Sequence, residues 1–200
     1  MTFGKKSFGK AGGFKVKALK PPLDQAGLLE FAVRSLSSKM KSVRDLRRRM
    51  SERAEAGEEG VAAMDAVILK LKELGYLSDE RFAADYTRLR KENEKFGKRR
   101  VQQDLTLKGI SKELIASTIT AAYEDVDEVA LARAYCAKKR MKQPGGADPA
   151  ERKKETARVM NRLLRAGFSS TAIFKLLGEW KVEIPGEGEG DSDQYDLPEF

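Results

Sequence analysis

Arg47, Arg48 and Arg49 stand in a row, and runs of cations like this one occur three times in the chain. The first gathers Lys39, Lys41, Arg44, Arg47, Arg48 and Arg49. The second holds Arg88, Arg90, Lys91, Lys95, Lys98, Arg99 and Arg100, and the third Lys138, Lys139, Arg140, Lys142, Arg152, Lys153 and Lys154. Guanidinium groups donate paired hydrogen bonds to carboxylates and phosphates, and ammonium groups act as point charges toward the same anions. Phosphates would be drawn by charge and would release counterions, giving salt-dependent binding. An acidic protein groove would be drawn by complementary potential. The candidate partner- or phosphate-binding residues are therefore Arg47, Arg48, Arg88, Arg90, Lys91, Lys98, Arg99, Arg100, Lys138, Lys139 and Arg140.

Covalent chemistry finds little support. The chain has no histidine, which removes His-based triads, His metal ligands and the usual near-neutral proton shuttle. Its one cysteine, Cys136, lies in the helical run "ALARAYCAKK" and reads as a small core side chain. Asp79 and Glu80 follow Ser78, and Asp127 and Glu128 follow Asp125, where capping and dipole complementarity explain them. "GKKSFGKA" (4–11) approaches a phosphate-binding loop, but Ala11 stands where Ser or Thr is required and no strand precedes it. No nucleophile–base pair can be assembled, so neither an enzyme nor a metal or cofactor is expected.

The elements that carry the cations read as helices. Apolar residues recur every three or four positions at Val61, Met64, Ile68, Leu71 and Leu74, at Phe82, Tyr86 and Leu89, at Val101 and Leu105, and at Ile115, Ile119 and Ala122. No run of strict alternation stands out. Tyr76, Phe82, Tyr86 and Phe168 are expected in the core, with Trp180 closing the last apolar stripe. In "LKGISKELI" (107–115), Gly109 suits a left-handed helix stop, Ile110 a hydrophobic latch and Ser111 the next N-cap. Gly167, Phe168 and Ser169 supply the same three parts 58 positions later.

With that offset Val101 falls on Val159, Leu105 on Leu163, Ile115 on Ile173 and Ile119 on Leu177. With an offset of 55, Leu46 falls on Val101 and Met50 on Leu105. Periods near 50 residues indicate stacked repeats. The expected fold is all-α, an elongated array of three tandem three-helix repeats over 23–77, 78–124 and 125–182. Each cationic run spans the junction between a repeat's first and second helices, so stacking in register would line these junctions along one edge. The first repeat has the polar "SERAEAGEEG" where the glycine joint is expected, and the third carries an extra "QPGGADP".

Residues 1–22 contain six lysines and no acid, and read as a flexible basic arm. Residues 183–200 contain seven acids and no base, and read as a disordered acidic tail, a candidate to fold over the arm or the edge. The whole chain carries +8 with a pI near 9.5, compatible with a polyanionic partner. No stretch reaches the ~20 apolar residues of a membrane span, and no apolar core follows the first lysines as in a signal peptide. A cytoplasmic monomer is expected.

"LKELGYLSDERFAADY" (71–86) followed by "FGKRRVQQDLTLKGISKELI" (96–115) resembles the hallmark region of the RecX family. The resemblance covers about residues 28–180 and is strongest in the middle repeat. It implies a curved array of three-helix repeats without enzymatic activity. The family comprises regulators of the bacterial recombinase RecA, understood to lie in the groove of the RecA filament on DNA, inhibit recombinase activity and affect filament growth. The expected partners are the RecA filament and, weakly, single- or double-stranded DNA. The alternative is a general nucleic-acid-binding helical module. In it the helix from Ser111 would enter the major groove, although "SKELIASTITAAY" offers one lysine and no arginine to read bases.

Overall fold

Serine or aspartate caps seven of the nine described helices, and a left-handed residue follows the end of six. A computed structural model describes residues 21–145 and 148–182. The basic arm, apart from Pro21 and Pro22, and the acidic tail lie outside the described residues. Within them nine helices follow one another: α1 (Gln25–Ser38), α2 (Val43–Ser51), α3 (Glu58–Glu73), α4 (Asp79–Glu92), α5 (Lys98–Leu107), α6 (Lys112–Tyr123), α7 (Glu128–Lys138), α8 (Pro149–Arg165) and α9 (Ser170–Glu179). The fold is all-α, a helical repeat array. The described residues add only an isolated bridge between Leu23 and Ala54.

Both joints form as their sequences suggest. Gly109 and Gly167 have φ of 78° and 91°. Ile110 N–H reaches back to the Leu105 carbonyl and Phe168 N–H to the Leu163 carbonyl, each at 3.2 Å, in the crossed pattern of a Schellman stop. Ser111 and Ser169 then cap α6 and α9. Three further stops use charged residues in the left-handed region: Lys95 (φ 58°), Arg140 (φ 48°) and Lys181 (φ 54°).

The apolar faces gather into three clusters, one per helical triplet. The aligned positions Leu46, Val101 and Val159, and Met50, Leu105 and Leu163, are all buried. Burying each such side chain contributes about 1.5–3 kcal/mol. Several stripe assignments need correction. Val61, Leu74 and Leu89 are exposed: α3 buries the stripe's Met64, Ile68 and Leu71 together with Gly60 and Val67, leaving Val61 outside and Leu74 past its end, and α4 buries Phe82, Ala83 and Thr87. Gly60 sits so close to the Glu55 carbonyl that no side chain fits. Tyr76 is 65% exposed, outside the core: it follows the left-handed stop at Gly75 and points to solvent, leaving Leu77 as the latch. Trp180 and Val182 close the third cluster.

Neighbouring triplets meet where a stop in one docks on a helix start in the previous one. The Gly97 N–H donates to the Ala166 carbonyl at 2.9 Å, and the Arg99 N–H to the Gly167 carbonyl at 3.3 Å. One triplet earlier, Ser42 Oγ donates to the Lys108 carbonyl at 2.7 Å. The two contacts join equivalent positions under the offsets of 55 and 58, with a backbone N–H as donor at Gly97 and a side-chain hydroxyl at Ser42. Helix α8 thus ends on the start of α5, and α5 on the start of α2, so that terminal carbonyls find donors in the preceding triplet.

Candidate basic edge

The junction between α1 and α2 faces the C-terminal half of α4. Lys39, Lys41, Arg48, Arg49, Arg90 and Lys108 surround a cleft of about 440 Å³ floored by Met40, Phe82, Tyr86 and Leu89. Asp45 and Glu94 also line it, and both are engaged. Asp45 binds Lys108 Nζ at 2.7 Å and Arg48 at 3.3 Å. Glu94 binds Lys139 at 3.0 Å and Lys138 at 3.8 Å, and these contacts bring the end of α7 to the rim. The three helix junctions are therefore neighbours, linked through Glu94.

Local potential in the cleft is positive. The Lys41 ammonium is pushed below its ordinary range, first by burial and then by Arg49 and Lys39 beside it. Lys139 and Lys138 hold the Glu94 carboxyl below the usual carboxylate range. Arg90 lies over the Tyr86 ring, 4.7 Å from its centroid. Tyr86 Oη donates to Asp104 at 3.1 Å, and Asp104 also meets Arg100 at 3.2 Å and Arg90 at 3.9 Å. That network fixes the Arg90 guanidinium at the mouth of the cleft.

The structure brings together Arg48, Arg90, Lys138 and Lys139 of the sequence candidates, holds Arg100 beside Arg90 on the shared Asp104, and separates the rest. Arg47 turns away to pair with Asp65 of α3. Arg88 pairs along its own helix with Asp85 and Glu92. Lys91 donates to the Ala122 carbonyl at 2.8 Å, beside the Tyr123 ring. Lys98 borders a separate small pocket with Tyr123, Val126 and Glu128, while Arg99 is exposed and Arg140 is the left-handed stop of α7.

Lys98, Arg99 and Arg100 occupy a helix start, where the dipole disfavours cations. The abutting end of α8 supplies carbonyls at that point, so a helix C-terminus neutralises the unfavourable field. Their presence thus has an intramolecular explanation. Lys108 escaped the sequence reading because it belongs to no cationic run. Its signal was its place immediately before the Gly109 stop, the part that docks on α2.

Two acids also act across elements. Asp79 accepts from the Val43 N–H at 2.9 Å, capping α2 from the start of α4. Glu128 accepts from the Ser169 N–H at 2.7 Å and from its hydroxyl at 2.6 Å, tying α7 to α9. Asp127, not Asp125, caps α7. Cys136 is buried, and burial pushes its thiol up, away from thiolate chemistry. No described helix is long and apolar enough to cross a membrane.

These features define an all-α repeat protein with a cation-lined cleft between its first two triplets. Residues 78–119 match the family model described as "RecX, second three-helix domain". A "Regulatory protein RecX" of Trichlorobacter lovleyi is 31% identical over 146 residues, covering 72% of this chain and 90% of the relative. Another of that name from Myxococcus xanthus is 30% identical, covering 79% and 86%. The solved RecX structure from Lactobacillus salivarius superposes with a TM-score of 0.57 at 18% identity, over 80% of this chain and 98% of that one, a likeness of fold. The chain belongs to the RecX family of regulatory proteins.

Proposed function

We propose that the chain is a non-enzymatic regulator that binds the RecA–DNA filament through its basic edge and modulates recombinase activity in DNA recombination and repair. The observation that carries this reading is the convergence of six cations from two triplets on one cleft, three of which, Lys39, Lys41 and Arg49, have no carboxylate within salt-bridge distance among the described residues. Family membership supports the recombinase as partner. A filament that presents both acidic side chains and phosphates suits such a surface, since guanidinium and ammonium groups bind either.

The test is co-sedimentation with RecA–single-strand filaments, with free DNA as control, alongside inhibition of the RecA ATPase. Arg48→Glu with Arg49→Glu should abolish both while far-UV circular dichroism stays helical. Arg88→Glu, outside the cleft, should leave both intact. Full inhibition by the folded double variant overturns the cleft as the binding surface. Equal binding to free DNA would instead favour a general nucleic-acid module.

A further inference from the structure

The cleft has a candidate occupant within the same chain. Residues 183–200 contain seven acids and no base, and begin with the glycine- and proline-rich "EIPGEGEG" before "DSDQYDLPEF". The second half sets Tyr195, Leu197 and Phe200 among carboxylates. The cleft offers the complement, cations around an apolar floor of Met40, Phe82, Tyr86 and Leu89.

Length and starting point are compatible. The described chain ends at Val182, packed on the third cluster beside Trp180. Glu179 pairs with Arg133 of α7 at 2.7 Å. From Arg133 to Lys139 the chain advances about 9 Å along α7. Lys139 touches Glu94 at 3.0 Å, and Glu94 lines the cleft. The segment therefore starts within a few such steps of the rim, while 18 residues reach up to about 60 Å when extended.

We propose that the acidic segment 183–200 seats in the cleft between α2 and α4, as a tethered anion that competes with external polyanions. Tethering gives it a high effective concentration, so even weak contacts occupy the site at low salt. The competition acts on any polyanion and does not depend on RecA being the partner.

Zero-length carbodiimide cross-linking of the full chain at low salt, followed by peptide mapping, tests this. It joins carboxylates to amines in direct contact. Links from Asp191, Asp193, Asp196 or Glu199 should concentrate on Lys39, Lys41 and Lys108 within a monomer. They should fall about tenfold in Arg48→Glu with Arg49→Glu, equivalent to losing one decade of contact affinity, and persist in Arg88→Glu. Links mainly to the lysines of residues 5–20, links mainly to Lys153 and Lys154, links only in covalent dimers, or no links at all would each overturn the proposal. A second arm needs no lysine: replacing the seven acids with their amides should tighten heparin binding by the full chain. An unchanged salt elution point would overturn competition.

Discussion

Gly97 and Gly167 lie back to back: a Cβ on Gly97 would come within 2.3 Å of the Gly167 carbonyl oxygen, and one on Gly167 within 2.2 Å of the Arg100 nitrogen. Both obstacles are backbone, which cannot swing aside as a flexible side chain would. Gly97→Ala should therefore push the third triplet off the second. We expect a loss of about 1–3 kcal/mol with helicity retained, and a thermal transition that broadens or splits as the triplets uncouple. A variant with unchanged melting behaviour would show that this contact does not couple them. At the equivalent joint a Cβ on Gly109 would come within 2.4 Å of Arg44 Cδ and 2.8 Å of Arg44 Cβ, so Gly109→Ala should combine the strain of its positive φ with a clash against the start of α2.

Ser42 acts twice at the first joint. Its fully buried hydroxyl accepts from the Asp45 N–H at 3.1 Å and donates to the Lys108 carbonyl at 2.7 Å. Ser42→Ala removes the cap and strands a carbonyl, for an expected cost of about 2 kcal/mol. Ser111→Ala removes a cap alone, since that exposed serine makes no bond to another triplet, and should cost about 1 kcal/mol. Urea unfolding of the two variants side by side measures the difference.

Arg140 holds a left-handed conformation, φ 48°, at the stop of α7. Glycine adopts that region without the Cβ penalty. Arg140→Gly should thus leave stability unchanged or raise it, by up to about 1 kcal/mol, although it removes a surface charge. Differential scanning calorimetry at two salt concentrations separates the backbone gain from any electrostatic loss.

Tyr123 predicts alkaline sensitivity. Its hydroxyl donates to the Phe96 carbonyl at 2.9 Å, and burial pushes the phenol well above its ordinary range. As pH rises past about 10, tyrosine in the unfolded chain gives up its proton while the folded phenol keeps it. The unfolded state then binds fewer protons, so stability must fall with rising pH. Burial raises Tyr86 in the same direction. Tyr123→Phe should cost about 1 kcal/mol near neutrality and flatten the decline above pH 10, as read from urea midpoints at stepped pH.

The sequence showed what is local and hid what is spatial. Gly109–Ile110–Ser111 and Gly167–Phe168–Ser169 were legible because a glycine stop, a latch and a cap are consecutive. The stops at Lys95, Arg140 and Lys181 were not, since a charged residue in a left-handed conformation carries no compositional mark. The spacing of 58 located equivalent residues, yet nothing in it said that the Gly167 stop would dock on the Gly97 start. The same limit applies to the cations. Their runs were plain, but Arg47 with Asp65, and Lys138 with Lys139 on Glu94, pair over distances that only the fold sets.

The end-to-end run from α8 through α5 to α2 gives the array a direction, and with it two different termini. A stop docks on a preceding start, and among the described residues no earlier triplet lies beneath the exit of α2. A start receives a later stop, and among the described residues none arrives on α8. The first site is where the chain writes "SERAEAGEEG", and the second is where it writes "QPGGADP". The two irregular insertions thus fall where the described residues show no second triplet to couple with, and the first is held instead by the chain's own entry, through the Leu23 N–H on the Arg53 carbonyl at 2.7 Å. Grafting a fourth triplet would require restoring the glycine joint at one terminus or the tight junction at the other.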